Sequence, residues 1–561
     1  MCGIFFSAAK SRPILPDRRT KDGLAARGPD SYEELSAVLH AASGDIYLTF
    51  ISSVLALRGD HIQEQPLYDP LSGSVLCWNG EAWKIGGSTI EGNDSARVFD
   101  LLLHASQAAD RDHRQTVVKV LQAIAGPFAF VFYDAPTSTI FYGRDRLGRR
   151  SLLLSRDQEK SLTLCSAFAT PVGMHITEVA TTSIHFIAFK DGNITASELP
   201  WSEPLPVMNK MRPSSSLTSS PTSASVESFL EHLKNALKLR VVDIPSLSQG
   251  RWHTVSAKVA ILFSGGLDCA LLARLVHEIL PQDEDVDLLN VAFENPRTLA
   301  ALAKGPDSAY ELCPDRVTGR RSFSELRQVC PHRRWKFVAV NVPYVESQAY
   351  KSTIQQLMHP HDTEMDLSIA MALWFAARGT GFSSESAYPA LSETDFYNSD
   401  ARVLLSGLGA DELYGGYARH AAAFARAEFA GLADELELDF ARIGSRNLGR
   451  DDRVMSDWGK EVRYPYLDED FVRFSLGLPV WEKCGFRPGK HMPKHYEECS
   501  QVTKPEDLEP AKMLLRLAMW KLGMHSTATE RKRAIQFGAR TAKMDIGKGR
   551  TKGTDVLMPT S

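Results

Sequence analysis

Three stretches of the chain gather residue types that can do chemistry at short spacing. The first is Ser264-Gly265-Gly266-Leu267-Asp268-Cys269, which follows the apolar run Lys258 to Phe263 and opens an amphipathic stretch with Leu271, Leu272, Leu275 and Ile279 on one face. Strand, glycine turn and helix start, in that order, aim backbone N–H groups and the positive end of a helix at one point, and glycine lets an anion approach the main chain. No Lys-Ser or Lys-Thr follows the glycines, so this is not the loop that holds β- and γ-phosphates for γ-transfer. The second is Ser406-Gly407-Leu408-Gly409-Ala410-Asp411-Glu412, again after an apolar run, Arg402 to Leu405. Carboxylates facing a phosphate cradle call for a cation between them. Asp268 and Asp411 are therefore the expected Mg²⁺ ligands, since Mg²⁺ takes one or two carboxylates and substrate phosphate oxygens. The third is Met1-Cys2-Gly3, where loss of Met1 would give Cys2 a thiol nucleophile and a free α-amine of similar pKa, able to exchange a proton near neutrality.

These groups need elements to hold them. From Ile46 to about Leu154 short β-rich runs, such as Ser74 to Trp78 and Phe128 to Tyr133, alternate with Gly, Pro and Asp turns, and a helical pattern over Ala96 to Ala105 would cover them. That pattern predicts stacked antiparallel sheets. Beyond it, Lys258 to Phe263, Leu288 to Phe293, Lys336 to Val340 and Arg402 to Leu405 are continuous apolar runs separated by helical stretches, the signature of a parallel α/β sheet with ligands at the carboxyl ends of its strands. The Ser-, Thr- and Pro-rich interval between them cannot bury enough apolar area to offset its ordering entropy. The expected division is residues 1–200, a disordered linker over 201–228, a second domain over 229–545 and a disordered tail over 546–561. Phe382 to Asp400 reads as a polar surface insertion.

Composition narrows the chemistry. A chain of 561 residues with 43% hydrophobic and 24% charged residues and a formal net charge of −4 is ordinary for a globular protein and carries no basic arm for nucleic acid. No apolar run reaches the roughly 18 residues of a membrane span, and no signal-like segment opens the chain, so a cytoplasmic protein with small-molecule partners is expected, a homodimer being left open. Eight scattered cysteines do not form a disulfide framework. His491, His495 and Cys499 fall at four-residue intervals, but Pro493 interrupts the helix that a metal-binding face would need.

With both glycine loops in place, the second half resembles the synthetase domain of asparagine synthetases over about 300 residues. Gly459-Lys460-Glu461-Val462-Arg463-Tyr464-Pro465-Tyr466-Leu467-Asp468, Lys512-Met513-Leu514-Leu515-Arg516 and Lys532-Arg533-Ala534-Ile535-Gln536-Phe537-Gly538 add support. Within that family the sequence looks most like the group of asparagine synthetase domain-containing proteins, on Pro314 to Arg320 and Gly143 to Leu153. The first half, from Met1 to about Ala167, resembles N-terminal-nucleophile glutamine amidotransferases through Arg27-Gly28-Pro29-Asp30, Gln65-Pro66-Leu67, Asn79-Gly80-Glu81 and Asn93-Asp94.

The resemblance implies an α+β N-terminal-nucleophile domain, an αββα sandwich, followed by an α/β ATP-pyrophosphatase-type synthetase domain. It implies ATP and Mg²⁺ as cofactors and glutamine and aspartate as substrates, with the aspartate carboxylate adenylated and then attacked by ammonia. It assigns Cys2, Asn79, Gly80 and Lys532 to catalysis, with Asn79 and Gly80 as the oxyanion hole. It assigns Arg58, Asn79, Glu81 and Asp94 to glutamine, and Leu262, Ser264, Gly265, Gly266, Leu267, Asp268, Cys269, Ala292, Ser406 and Gly407 to ATP. Two departures stand out. Val54 occupies the position of the arginine that pairs with the glutamine α-carboxylate, Arg58 lying four residues on, and Leu408 stands where the family carries Glu. They leave room for a weakened scaffold or regulator, or for an enzyme acting on another carboxylate.

Overall fold

The computed structural model describes every residue except 1, 41–43, 108–112, 157–160, 170–174, 191–192, 214–220, 246, 249–250, 253–256, 300–305, 389–393, 488–503, 545–551 and 558–561. The His491, His495 and Cys499 group lies outside the described residues.

Period-2 alternation sets the layers of the first domain. Gly3–Ala9 runs between Leu162–Cys165 and Ile46–Val54 in one six-stranded antiparallel sheet. Phe128–Asp134 runs between Thr139–Arg144 and Val75–Gly80 in another. Ile4, Phe6 and Ala8 meet Val75, Cys77, Val131 and Tyr133 in the space between the sheets. Phe5 and Ile51 point the other way, toward Leu24 of the helix Arg18–Arg27. On the far side, Leu76, Trp78, Phe130 and Phe132 pack under Val98, Phe99 and Val117 of the helices Asp94–Ser106 and His113–Gln122. The layer order is helix, sheet, sheet, helix, the αββα sandwich that the sequence implied.

The second domain is built on a seven-stranded sheet in the order Asp395–Asn398, Thr380–Ser384, Trp335–Val342, Asp285–Phe293, Ala257–Leu262, Val403–Leu405, Glu461–Arg463. Its last five strands are parallel, and the first two join them through antiparallel pairings, Thr380–Ser384 running against all the others. The polar stretch Phe382 to Asp400, expected as an insertion, therefore supplies much of that antiparallel edge, where one-sided burial tolerates polar residues. Glu461–Arg463, three residues long and mostly charged, carries no apolar pattern that would mark it as a strand.

The expected linker and tail also differ from expectation where they are described. The helix Ser223–Val241 starts inside the interval 201–228, capped by the Thr222 side chain accepting from Ser225 N. Asn209 bonds to the Leu476 and Gly477 carbonyls at 2.8 Å, and Met208 is buried against the second domain. In the tail, Met365 N donates to Gly553 O and Glu364 N to Asp555 O, both at 3.0 Å, so backbone pairing holds what composition suggested would be loose.

The two domains meet along a seam of buried arginines. Arg27 pairs with Asp452 at 2.9 Å, Arg150 with Glu461 at 3.1 Å, Arg453 with Glu178 at 2.5 Å and Arg463 with Glu81 at 3.1 Å. Arg149 donates to Leu467 O at 2.8 Å and pairs with Glu469. The approach is close enough that a Cβ on Gly449 would lie 1.7 Å from the Glu178 carboxylate.

Lys483 yields a test of how the 201–213 segment is anchored. Its amine is fully buried and donates to Met208 Sδ at 3.1 Å, and burial pulls its pKa down to about 7. The folded state thus binds this proton less readily than the unfolded chain, so the penalty is full below about pH 7 and disappears as pH approaches the unfolded lysine value. Lys483→Met should raise stability at pH 7, with a ceiling of about 5 kcal/mol. The gain should shrink steadily toward pH 10, as read by thermal unfolding across pH; a pH-independent difference or a loss of stability at pH 7 would refute it.

Candidate functional site

Two constellations assemble from residues distant in sequence. In the first domain, Cys2 precedes the central strand Gly3–Ala9, with Arg27 Nε donating to its carbonyl at 3.4 Å. Burial pushes the thiol pKa up, and Glu461 and Asp94 push the same way, while a hydrogen bond from the Leu55 backbone opposes them. Asn79 lies on the strand Val75–Gly80, in register with Ala129, and Gly80 opposite Phe128. Asn79-Gly80 is therefore the end of a strand rather than a hairpin turn. A Cβ on Gly80 would sit 2.6 Å from Pro127 O, so only glycine fits. The Asn79 side chain is fully buried, yet neither its amide nitrogen nor its oxygen has a hydrogen-bond partner among the described residues. A buried amide without a partner costs on the order of 1–3 kcal/mol, and a polar ligand would satisfy it.

Glu81 and Asp94 stand beside it. Asp94 accepts from Ala82 N at 2.7 Å and Trp78 Nε1 at 3.1 Å, and burial raises its pKa. Burial and the nearby Glu461 raise Glu81 to about 8, against the pull of Arg463 and Arg58. Arg58 is brought into this pocket, with its Nε 3.7 Å from Glu81, but its terminal nitrogens donate to the Ala82 and Ile90 carbonyls and so tie down the 82–90 loop. Val54 is buried at the end of its strand.

The second constellation lies at the carboxyl ends of the parallel strands. Gly265 has φ +79°, and a Cβ there would lie 2.5 Å from Gly319 Cα on the helix Pro314–Val329, so the turn is held from behind by a glycine-to-glycine contact. Ser322 Oγ donates to Gly265 O at 2.6 Å. Gly266 caps the helix Leu267–Ile279 with no side-chain hydrogen bond, leaving the first N–H groups for a ligand. Cys269 turns its thiol to Gly266 O at 3.2 Å and lies 3.6 Å from Ser264 Oγ, and burial raises its pKa to about 11. Leu262 pairs with Leu289, and Ala292 lies beyond that pair toward the end of the adjacent strand.

Across the cleft, Gly409 with φ +101° starts the short helix Ala410–Tyr414, which carries Asp411. Asp268 and Asp411 converge. Lys512 Nζ lies 2.6 Å from Asp268 Oδ2 and 2.6 Å from Asp411 Oδ1, and Lys532 pairs with Asp411 from another side. Gly407 sits directly over Asp268, where a Cβ would come within 2.8 Å of the aspartate Cβ, and a Cβ on Gly416 would fall 1.8 Å from Asp411 Oδ1. Despite burial, the two lysines hold the Asp411 carboxyl well below the usual range, and Asp411 in turn raises Lys532, which stays an ammonium. Leu408 is half-buried against the core, its backbone N–H donating to Ser406 Oγ at 3.3 Å.

Of the residues the sequence singled out, the structure places Cys2, Arg58, Asn79, Gly80, Glu81 and Asp94 around one buried region, and Asp268, Asp411 and Lys532 around another. The sequence reading passed over Lys512, Glu461 and Arg463 as site residues. Lys512 has φ +56°, a left-handed backbone uncommon for a residue with a side chain. Both segments were visible as motifs, but nothing local shows that their charges turn inward. Among the described residues no group of three or more His, Cys, Asp or Glu could hold a metal ion by itself, and no helix is long and apolar enough to cross a membrane.

Comparison with known proteins fits this geometry. A glutamine amidotransferase domain model matches residues 1–190, and an asparagine synthase model matches residues 344–433 and 430–498. Asparagine synthetase domain-containing protein 1 of Bos taurus is 32% identical over 658 aligned positions, covering 99% of this chain and 97% of that protein. Asparagine synthetase domain-containing protein YML096W of Saccharomyces cerevisiae is 32% identical over 548 positions, covering 95% and 90%. Asparagine synthetase [glutamine-hydrolyzing] of Mus musculus is 23% identical over 525 positions, covering 90% and 82%. An N-terminal-nucleophile amidotransferase sandwich joined to an asparagine synthase domain, matched nearly end to end, places this chain in the asparagine synthetase domain-containing protein 1 family.

Proposed function

We propose that the chain is a glutamine-dependent, ATP-consuming amide synthetase, converting aspartate to asparagine with release of AMP and pyrophosphate. The observation that carries this reading is the convergence of Asp268 and Asp411 on Lys512 and Lys532 above an uncapped glycine corner. Two carboxylates already gathered around a cation, beside free helix N–H groups, fit the donor set that Mg²⁺ and a triphosphate require. When bound, Mg²⁺ would neutralise phosphate charge and orient the leaving pyrophosphate. Asp268 and Asp411 would hold it. Ser264 to Cys269, Ser406 and Gly407 would line the phosphates, and Leu262 and Ala292 the nucleoside. Lys532 and Lys512 would turn from the aspartates to the phosphate oxygens, where fixed ammonium charges stabilise developing negative charge.

In the first domain, a glutamine side chain would accept hydrogen bonds at its carbonyl oxygen from the Asn79 amide and the Gly80 N–H, while Glu81 and Asp94 hold its α-ammonium. Arg58 would contribute through the pocket wall. The Cys2 thiolate adds to the carbonyl, ammonia leaves with the proton relayed through the α-amine, and water releases glutamate. The acceptor carboxylate displaces pyrophosphate from ATP, ammonia displaces AMP from the acyl-adenylate, and one proton is released. Placement of the protein in the cytoplasm, where glutamine and ATP are abundant, belongs to the same reading.

A second reading rests on Leu408. An isobutyl group beside the phosphate corner can neither accept a proton nor hold ammonia. This favours another acceptor carboxylate, or a member that binds nucleotide and serves as a scaffold.

Mass analysis of the product formed from ATP, Mg²⁺, aspartate and amide-¹⁵N glutamine decides between them. Labelled asparagine is expected; folded, nucleotide-binding protein that yields none would overturn the aspartate assignment. Cys2→Ala should abolish glutamine use while ammonia-dependent synthesis persists, and equal loss of both would contradict separate sites. Lys532→Met should lower carboxylate-dependent pyrophosphate release by about 100-fold or more, with glutaminase activity retained.

A further inference from the structure

Arg463 lies in the synthetase sheet, on the strand Glu461–Arg463, yet its side chain reaches the glutamine pocket of the other domain. Its Nη2 lies 3.1 Å from Glu81 Oε1, its Nε 2.6 Å from Glu461 Oε1, and its Nη1 donates to Arg240 O at 2.7 Å. The guanidinium also lies 4.8 Å from the centre of the Trp83 ring. Every edge of the fork is engaged and the side chain is buried, so it has one orientation. The backbone of the same residue faces the other site. Ser406 N donates to Arg463 O at 3.0 Å, so the first residue of the phosphate-facing loop hangs from the residue that grips Glu81.

We propose that Arg463 is a positioning residue shared by the two sites: its side chain holds Glu81 for the glutamine α-ammonium, and its carbonyl fixes Ser406, so that nucleotide bound at the phosphate corner changes glutamine affinity. This rests on the reading of the Cys2 pocket as a glutamine site. The groups that face Glu81 are Arg463 and Glu461 from the synthetase strand, Asp94 from the helix Asp94–Ser106, and Arg58. Arg463 and Arg58 favour the charged carboxylate; burial, Glu461 and Asp94 oppose it. Burial already lowers the charged fraction of Glu81 at neutral pH, and removing Arg463 lowers it further, so less carboxylate is available to hold an ammonium, a defect that rising pH repairs.

The test uses the full-length chain and a diazoketone analogue of glutamine that alkylates Cys2, followed by intact mass, with and without Mg²⁺ and ATP. In the unmodified protein, nucleotide should change the labelling rate about fivefold or more. Arg463→Met should slow labelling about tenfold at pH 7, with the deficit narrowing by pH 9, and the nucleotide response should vanish. Arg463→Lys, which keeps the charge but not the fork, should fall between, and it decides the matter if the methionine variant does not fold. Affinity for a fluorescent ATP analogue should stay within about threefold, since the side chain does not reach the phosphate corner. Labelling of either variant that keeps the full nucleotide response, or a deficit that is flat with pH, overturns the proposal. An unmodified protein that is never labelled at Cys2 removes the glutamine reading itself, and the proposal with it.

Discussion

The architecture depends on how charge is buried where the two domains meet. A guanidinium taken out of water costs several kcal/mol unless its donors are matched, and removing one partner of such a pair costs about 3–5 kcal/mol. Arg27, Arg149, Arg150, Arg453 and Arg463 are all buried at this seam, and each has a carboxylate or carbonyl of the opposite domain as partner. The domains therefore cannot slide or rotate on each other by small steps, because any shift strands several charges together. Glu461 shows how strongly the pairing works: although burial would raise it, Arg150 and Arg463 hold its pKa down to about 2.

That rigidity sets the chemistry on both sides. Glu461 faces Cys2 and Arg463 grips Glu81, so the surroundings of Cys2 are completed by the second domain. The same strand pairs with Val403–Leu405, which leads straight into Ser406 and the short helix carrying Asp411. A strand of three residues thus borders both sites. Its side chains serve one and its main chain the other, which the pleat of a strand allows because backbone hydrogen bonds and side chains point in perpendicular directions.

The phosphate corner follows a second logic, of charge balance inside a closed space. Two aspartates and two lysines neutralise one another around Gly407 and Gly416, where a side chain would collide with the Asp268 Cβ in the first case and with the Asp411 carboxylate in the second. Such a balance of two carboxylates and two ammoniums is the donor set that the proposed magnesium triphosphate would engage. Leu408, partly buried against the core beside these charges, offers an isobutyl group that can neither give nor take a proton.

What the sequence determined by itself was local or periodic. The strand, glycine turn and helix over residues 257–279, the alternating strands of the first domain and the apolar strands of the second follow from hydrogen bonding and burial patterns among near neighbours, and each is legible in a window of a dozen residues. Asp268 and Asp411 sit in motifs whose flanking glycines mark them, whereas Lys532 stood out only through the family resemblance. The tertiary structure alone decided that Lys512 bridges the two aspartates, that Asn79 ends a strand with its amide unpaired, that Arg58 is tied to carbonyls, and that Arg463 crosses into the other domain. For Lys512 and Arg463 the physical reason is the same. The direction of a long charged side chain is set by which opposite charge shares its low-dielectric surroundings, and those partners, such as Glu81 for Arg463, are hundreds of residues away in the chain.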